Sequence, residues 1–261
     1  MRTLVVLITL LGITPPLALV VLVARLFGVK DRTGGVFERT AQLWARCVCA
    51  SAGAKLQVFG AENQPAAGAP GVVYCSNHVS WFDVLGLAAV VPHHTFVAKR
   101  ELARIPIFGA AARAVGLVFI DRKNRKSAFS AYEGVATVVR GGKSVIVCPE
   151  GTRGYDYRLR PFKKGPFVLA ISAGVPVVPT VVYGAREVQR KGKAAVRGGE
   201  VRIHFLTPVP TAGFGYEQRE ELMQAVWQRM ADFLRERYGV ESVGGPLSVD
   251  PNAAALPTSF F

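Results

Sequence analysis

Cysteine and histidine are scarce in this chain, at four of each in 261 residues. Cys47 and Cys49 form the one close pair, spaced C-x-C, and no C-x-x-C occurs, which excludes zinc-ribbon and thioredoxin-type motifs. Cys75 and Cys148 fall in apolar, strand-like runs and read as buried thiols, so nothing calls for an oxidising compartment. His93-His94 lacks a carboxylate or cysteine at ligand spacing, and no metal is expected. Acid is scarce too: 18 Asp and Glu stand against 32 Lys and Arg, a formal net charge of +14. Basic excess can mean nucleic acid. Here the basic residues are scattered, with no long run and no basic-aromatic motif, so no nucleic-acid partner is expected. A G-x-S-x-G nucleophile elbow is absent, so a resident acyl-enzyme is not indicated. "GGKS" (141–144) resembles a phosphate loop, but that motif's first glycine would fall at Thr137, and the stretch precedes a strand.

Apolar residues are plentiful. Half the chain is hydrophobic, and together with the positive charge this points to a membrane surface or anionic ligands. Residues 3–24, "TLVVLITLLGITPPLALVVLVA", contain no charge. At about 1.5 Å per residue they just cover a hydrocarbon core of about 30 Å. Pro15-Pro16 predicts a bent helix or a shallow re-entrant hairpin in place of a straight span. The run reaches Arg25 without a small-x-small cleavage site, so a retained anchor is expected, not a signal peptide. Arg25, Lys30 and Arg32 then put the downstream chain on the cytoplasmic side, a bias that Arg2 weakens. In residues 36–52, Phe37, Ala41, Trp44 and Val48 recur at helical spacing. That helix either lies among lipid headgroups or packs in a core. Membrane phospholipids are the expected surroundings.

From residue 54 onward, strand-like runs at 71–76, 94–98, 116–120, 144–148, 175–183 and 200–206 alternate with helical patterns at 83–91, 127–140, 164–173 and 216–239. The last strand reads as a candidate edge. The expectation is an α/β fold: a mostly parallel central sheet flanked by helices, preceded by an N-terminal membrane-associated helical segment. Three regions follow: an anchor over 1–53, an α/β domain over 54–240, and a disordered tail over 241–261, rich in Gly, Pro, Ala and Ser.

In open α/β sheets, ligands bind beyond the carboxyl ends of the strands. His78, Lys99, Asp121-Arg122 and "PEGTR" (149–153) each follow a strand, so parallel strands would open all four onto one sheet edge. "SNHVSWFD" (76–83) holds the most chemistry. Five residues correspond to about 140° of helical rotation, so His78 and Asp83 meet only across a helix start. Ser80 as N-cap with Asp83 three residues on resembles a capping box. Two readings therefore stand: a helix cap alone, or a His/Asp pair in which Asp83 holds the imidazole tautomer and His78 acts as general base. Ser80 reads as the cap, which leaves the hydroxyl to be deprotonated to a substrate. Arg122 and Arg153 can grip a phosphate with forked donors, Lys99 adds a point charge, and Gly151 lets backbone approach a ligand. A surface salt bridge between Glu150 and an arginine is the other reading.

"NHVSWFD" resembles the N-H-x-x-x-x-D motif of the glycerolipid acyltransferase family. "GLVFIDR" (116–122), "CPEGTR" (148–153) and "VPVVP" (175–179) resemble its second, third and fourth blocks, in order, over residues 72–180. "AKREL", with Pro106 and Gly109, and "PFKKG" resemble stretches between those blocks. The resemblance implies a membrane-bound O-acyltransferase that moves a fatty acyl group from acyl-CoA or acyl-carrier protein. The acceptor is the free hydroxyl of a lysophospholipid such as 1-acylglycerol-3-phosphate, the product phosphatidic acid, with no acyl-enzyme, cofactor or metal. It implies catalysis by His78 and Asp83. It places Arg122, Glu150, Gly151, Thr152, Arg153 and Lys99 at the acceptor phosphate, and Val175, Pro176, Val177 and Pro179 at the acyl-chain pocket. The implied location is a bacterial inner membrane, catalytic domain on the cytoplasmic face. Val79, Cys148 and Gly154 stand where glutamine, phenylalanine and serine are usual, which bears on acceptor or chain-length choice. Within the resemblance, glycerol-3-phosphate and lyso-ornithine lipid remain alternative acceptors. A thioester hydrolase and a non-catalytic phospholipid-binding protein are the readings from other classes.

Overall fold

The computed structural model describes residues 1–66, 68–120 and 134–247. Two helices come first, α1 (Arg2–Leu26) and α2 (Val36–Ala52), followed by strand β1 (Ala54–Phe59). Then come β2 (Val73–Ser76), α3 (Trp81–Val90), β3 (His94–Lys99), α4 (Phe108–Ala114) and β4 (Val118–Ile120). A helix over 134–140, α5, leads to β5 (Ser144–Val147), α6 (Gly165–Ala173), β6 (Val177–Tyr183) and the single turn α7 (Ala185–Val188). β7 (Gly199–Phe205) and α8 (Arg219–Tyr238) close the domain.

The strands form one sheet in the order β1-β7-β6-β2-β5-β3-β4. Every neighbouring pair is parallel except β6 and β7. The mostly parallel sheet expected from the alternation is present, with two differences. β7 is not an edge: it lies between β6 and β1, and β1 takes the outer place. β1 escaped notice because "AKLQVF" mixes polar and apolar residues and only Ala54 is fully buried. The central strands β2, β5 and β6 behave as parallel strands covered on both faces do, mostly apolar and buried at nearly every position. Val73 and Cys75 of β2 face a core shared with α6 and α8, whereas Tyr74 faces α2 and α3.

α1 does not reverse as a hairpin. It stays helical through Pro15 and Pro16 and lies along α2. Its first turn is tied down by Arg2 Nη1 donating to Ala52 O at 3.2 Å and by Val196 N–H donating to Thr3 Oγ1 at 3.0 Å. Trp44 Nε1 donates to Thr14 Oγ1 at 3.0 Å in the middle. Near the far end, Val21 and Ala24 pack with Phe37 and with Ala111 and Ala114 of α4. Thr3, Thr14 and Val21 thus anchor the whole helix to the domain, while Leu4, Leu7, Ile8, Leu11, Leu19 and Leu26 stay exposed. α2 takes the core-packing alternative: Phe37, Val48 and Cys49 are buried, against α1 and α3. At the other terminus, residues 241–247 are irregular yet attached, since Leu159 N–H donates to Ser242 Oγ and Phe162 N–H to Pro246 O. The remainder of the expected tail lies outside the described residues.

Candidate active site

The site begins where β2 stops. Asn77 is buried, and its amide extends the sheet past the strand end: Nδ2 donates to Val182 O at 3.0 Å, and Val182 N–H donates to Oδ1 at 2.8 Å. An asparagine at a strand end gives no sequence signal of this, because its partner is 105 residues away. The next residue, His78, is thereby held at a fixed place on the sheet edge.

α3 starts three residues later. Ser80 is its N-cap, with Oγ accepting from Phe82 N–H at 3.2 Å and donating to Gln189 O at 2.8 Å. That hydroxyl is fully committed. Asp83 completes the capping box but does more than cap. Its fully buried carboxylate accepts from Val79 N–H at 2.7 Å and Ser80 N–H at 2.9 Å, and His78 Nδ1 lies 3.1 Å from the same Oδ2 that Val79 holds. The two sequence readings are therefore one structure: the cap fixes the carboxylate that orients the histidine.

The third block wraps behind His78. Gly154 N–H donates to His78 O at 2.7 Å, and His78 N–H donates to Glu150 Oε1 at 2.9 Å. Gly151 has φ +77°, a left-handed conformation that glycine adopts at no steric cost. Arg153 stacks its guanidinium 5.0 Å from the Trp81 ring centroid, at the cavity described next. Lys99, at the end of β3, and Thr152 are exposed and line the same cavity. Arg122 lies outside the described residues.

That cavity has a volume of about 630 Å³ and a mostly apolar wall. Leu10 and Leu17 of α1, Trp44 of α2, Leu85 of α3, Phe96 of β3 and Ile146 of β5 contribute to it. Cys148 and Lys143, which flank β5 at its two ends, both line it, so it runs the strand's length of about 13 Å. His78, Gly151 and Arg153 line one end. At the other, Asp31, His93 and Lys143 form a polar cluster, with Lys143 Nζ 2.5 Å from Asp31 Oδ2 and His93 Nε2 3.6 Å from Asp31 Oδ1. Among the described residues no group of His, Cys, Asp and Glu has a metal-binding arrangement.

A family model described as Acyltransferase matches residues 55–183. The 1-acyl-sn-glycerol-3-phosphate acyltransferase alpha of Mus musculus is 35% identical over 196 residues, 74% of this chain and 68% of the relative. The chain belongs to the acyltransferase family. The protein of the same name from Ovis aries is 37% identical over 186 residues, 70% of this chain; the chain spans only 64% of that relative's length. Among solved structures, the 1-acyl-sn-glycerophosphate (LPA) acyltransferase PlsC from Thermotoga maritima superposes with a TM-score of 0.73 at 26% identity, covering 89% of this chain and 94% of that one.

Two assignments implied by the family resemblance lie away from this cavity. Val175, Pro176, Val177 and Pro179 do not line the cavity. Val177 pairs with Val73 at the start of β2, whereas the site lies beyond Ser76 at its end; Val175 and Val177 pack on the α6 and α8 face. The apolar wall comes instead from α1 to α4, which sequence could not assign because α1 is apolar all round. Glu150 is the second: it is 5% exposed and does not line the cavity. Burial raises its carboxyl to about 8, outweighing the His78 N–H and the charge and backbone N–H of Arg160, which pull it down.

Proposed function

We propose that this chain transfers a fatty acyl group from a thioester, acyl-CoA or acyl-carrier protein, to the free hydroxyl of 1-acylglycerol-3-phosphate, giving phosphatidic acid. The observation that supports it most directly is His78 Nδ1 at 3.1 Å from Asp83 Oδ2, at one end of a long apolar cavity. With Nδ1–H donating to Asp83, Nε2 carries the lone pair and takes the proton from the acceptor hydroxyl. The oxygen attacks the thioester carbonyl, the tetrahedral adduct collapses, and the C–S bond breaks. The imidazolium then returns its proton to the departing thiolate. Asp83 remains ionised throughout and stabilises the imidazolium. Because Ser80 Oγ already serves as donor and acceptor, the acyl group passes directly between substrates.

Arg153 and Lys99, together with Arg122, meet the acceptor phosphate, and the apolar cavity takes the donor's acyl chain. α1 lies in one leaflet in place of crossing the bilayer. Its contacts at Thr3, Thr14 and Val21 leave only its outer face for lipid, as expected of a monotopic helix. Arg25, Lys30 and Arg32 favour the cytoplasmic face of a bacterial inner membrane.

The test is acceptor choice with a labelled thioester and purified protein in detergent. Lysophosphatidate should yield labelled phosphatidic acid, with much less product from lyso-ornithine lipid or glycerol-3-phosphate. Release of free fatty acid without any acceptor would favour a hydrolase, and binding without turnover of any acceptor would favour a lipid-binding protein.

A further inference from the structure

The third block has an acid that the proposed chemistry does not use. Glu150 is buried behind His78, out of reach of the cavity, and Oε2 makes no hydrogen bond. It does not line the cavity where a phosphate would sit, and an ionised carboxylate buried this deeply is costly. Its one side-chain contact to the site is specific: Oε1 accepts the backbone N–H of His78 at 2.9 Å. Gly154, four residues on, donates its N–H to the carbonyl of the same residue at 2.7 Å. One segment, 150–154, therefore grips His78 at both its peptide groups, while Asp83 grips its ring.

The segment itself is braced independently. Gly151 N–H donates to Cys148 O at 3.0 Å, and Lys163 N–H donates to Pro149 O at 2.8 Å. It is thus a rigid bracket anchored at the end of β5, the strand next to β2. His78 follows β2 by two residues, and without this bracket its backbone would be held through its neighbour Asn77 and its ring through Asp83. A neutral carboxyl suits this place better than an ionised one. It still accepts the His78 N–H, though less strongly than a carboxylate would, and adds no second negative charge beside Asp83, which would compete for the imidazolium.

We infer that Glu150 is a positioning residue: its Oε1 accepts the His78 N–H and, with Gly154, fixes the general base on the sheet edge, without touching acceptor or donor. The inference rests on the proposed role of His78 as the base. A shift of about 1 Å in a reacting group is enough to cost about 10²-fold in rate.

The experiment measures kcat and acceptor KM for wild type, Glu150→Gln, Glu150→Ala, His78→Ala and the Glu150→Ala/His78→Ala double variant, with thermal unfolding alongside. Gln keeps the acceptor oxygen and is always neutral, so Glu150→Gln should retain kcat and KM within about 3-fold. Glu150→Ala should lose about 10²-fold in kcat with KM little changed, and should cost nothing further in the His78→Ala background. A Glu150→Gln loss above 10-fold, or a loss expressed in acceptor KM, would overturn the inference. If Glu150→Ala does not fold, the Gln variant alone decides. Full activity in His78→Ala would instead remove the general-base reading, whatever Glu150 does.

Discussion

Lys143 Nζ and Asp31 Oδ2 meet at 2.5 Å, joining the loop after α1 to the start of β5 at the cavity end remote from His78. Lys143 also donates to Val115 O at 2.8 Å, so its ammonium holds α4 as well. Burial, the largest single influence on Asp31, pushes its carboxyl up. Its hydrogen bond to Lys143, the charge of that ammonium and the nearby His93 ring together outweigh that and hold it at about 2. A depressed carboxylate stabilises the fold above its unfolded value near 3.8 and loses that stabilisation as pH falls to about 2. Lys143→Met should therefore flatten part of the acid limb of a stability profile between those limits, His93 retaining the rest, at a cost on the order of 1 kcal/mol at neutral pH. Denaturant unfolding across that range, wild type beside variant, checks it.

Glu150 should act in the opposite direction. A carboxyl raised to about 8 binds its proton more tightly folded than unfolded, so the fold loses stability as pH climbs from its ordinary value near 4.5 toward 8. The slope reaches at most about 1.4 kcal/mol per pH unit. Glu150→Gln should remove most of it. An unchanged slope in that variant would place the titration elsewhere.

Asp83 joins a cap to a catalytic contact, and Asp83→Asn should separate them. The amide oxygen can still accept one backbone N–H, so the helix should lose only about 1 kcal/mol. His78 loses its charged partner, and kcat should fall by about 10² to 10⁴. Thermal unfolding and turnover measured on one preparation distinguish the two effects.

Ala41 lines the cavity from α2 and is only partly buried, so Ala41→Phe should narrow it without a large penalty in folding. Competition between thioesters of different chain length should shift toward shorter donors. No shift would mean that the acyl chain lies elsewhere.

Much of this was legible in the sequence. The alternation of strands and helices gave the parallel sheet, and the positions of His78, Lys99 and residues 149–153 after successive strands gave the edge where they gather. The capping-box spacing of Ser80 and Asp83 required His78 to sit in the turn before α3, where it is found. What stayed hidden depended on which way a buried apolar or polar residue faces. Val175 and Val177, which the family resemblance gave to the acyl-chain pocket, pack on the α6 and α8 face of the sheet. α1 is apolar on every face, so periodicity could not tell its cavity side from its outer side. Glu150 reads as a charged surface residue until its burial is seen, and Asn77 joins a strand distant in sequence.

Acyl transfer from a labelled thioester to lysophosphatidate by His78→Ala, beside wild type, tests the central claim most directly. A fall of about 10² to 10⁴ in rate with lysolipid binding and thermal stability retained is the expected result. Transfer at the wild-type rate would contradict it, reducing the His78 and Asp83 contact to part of a helix cap.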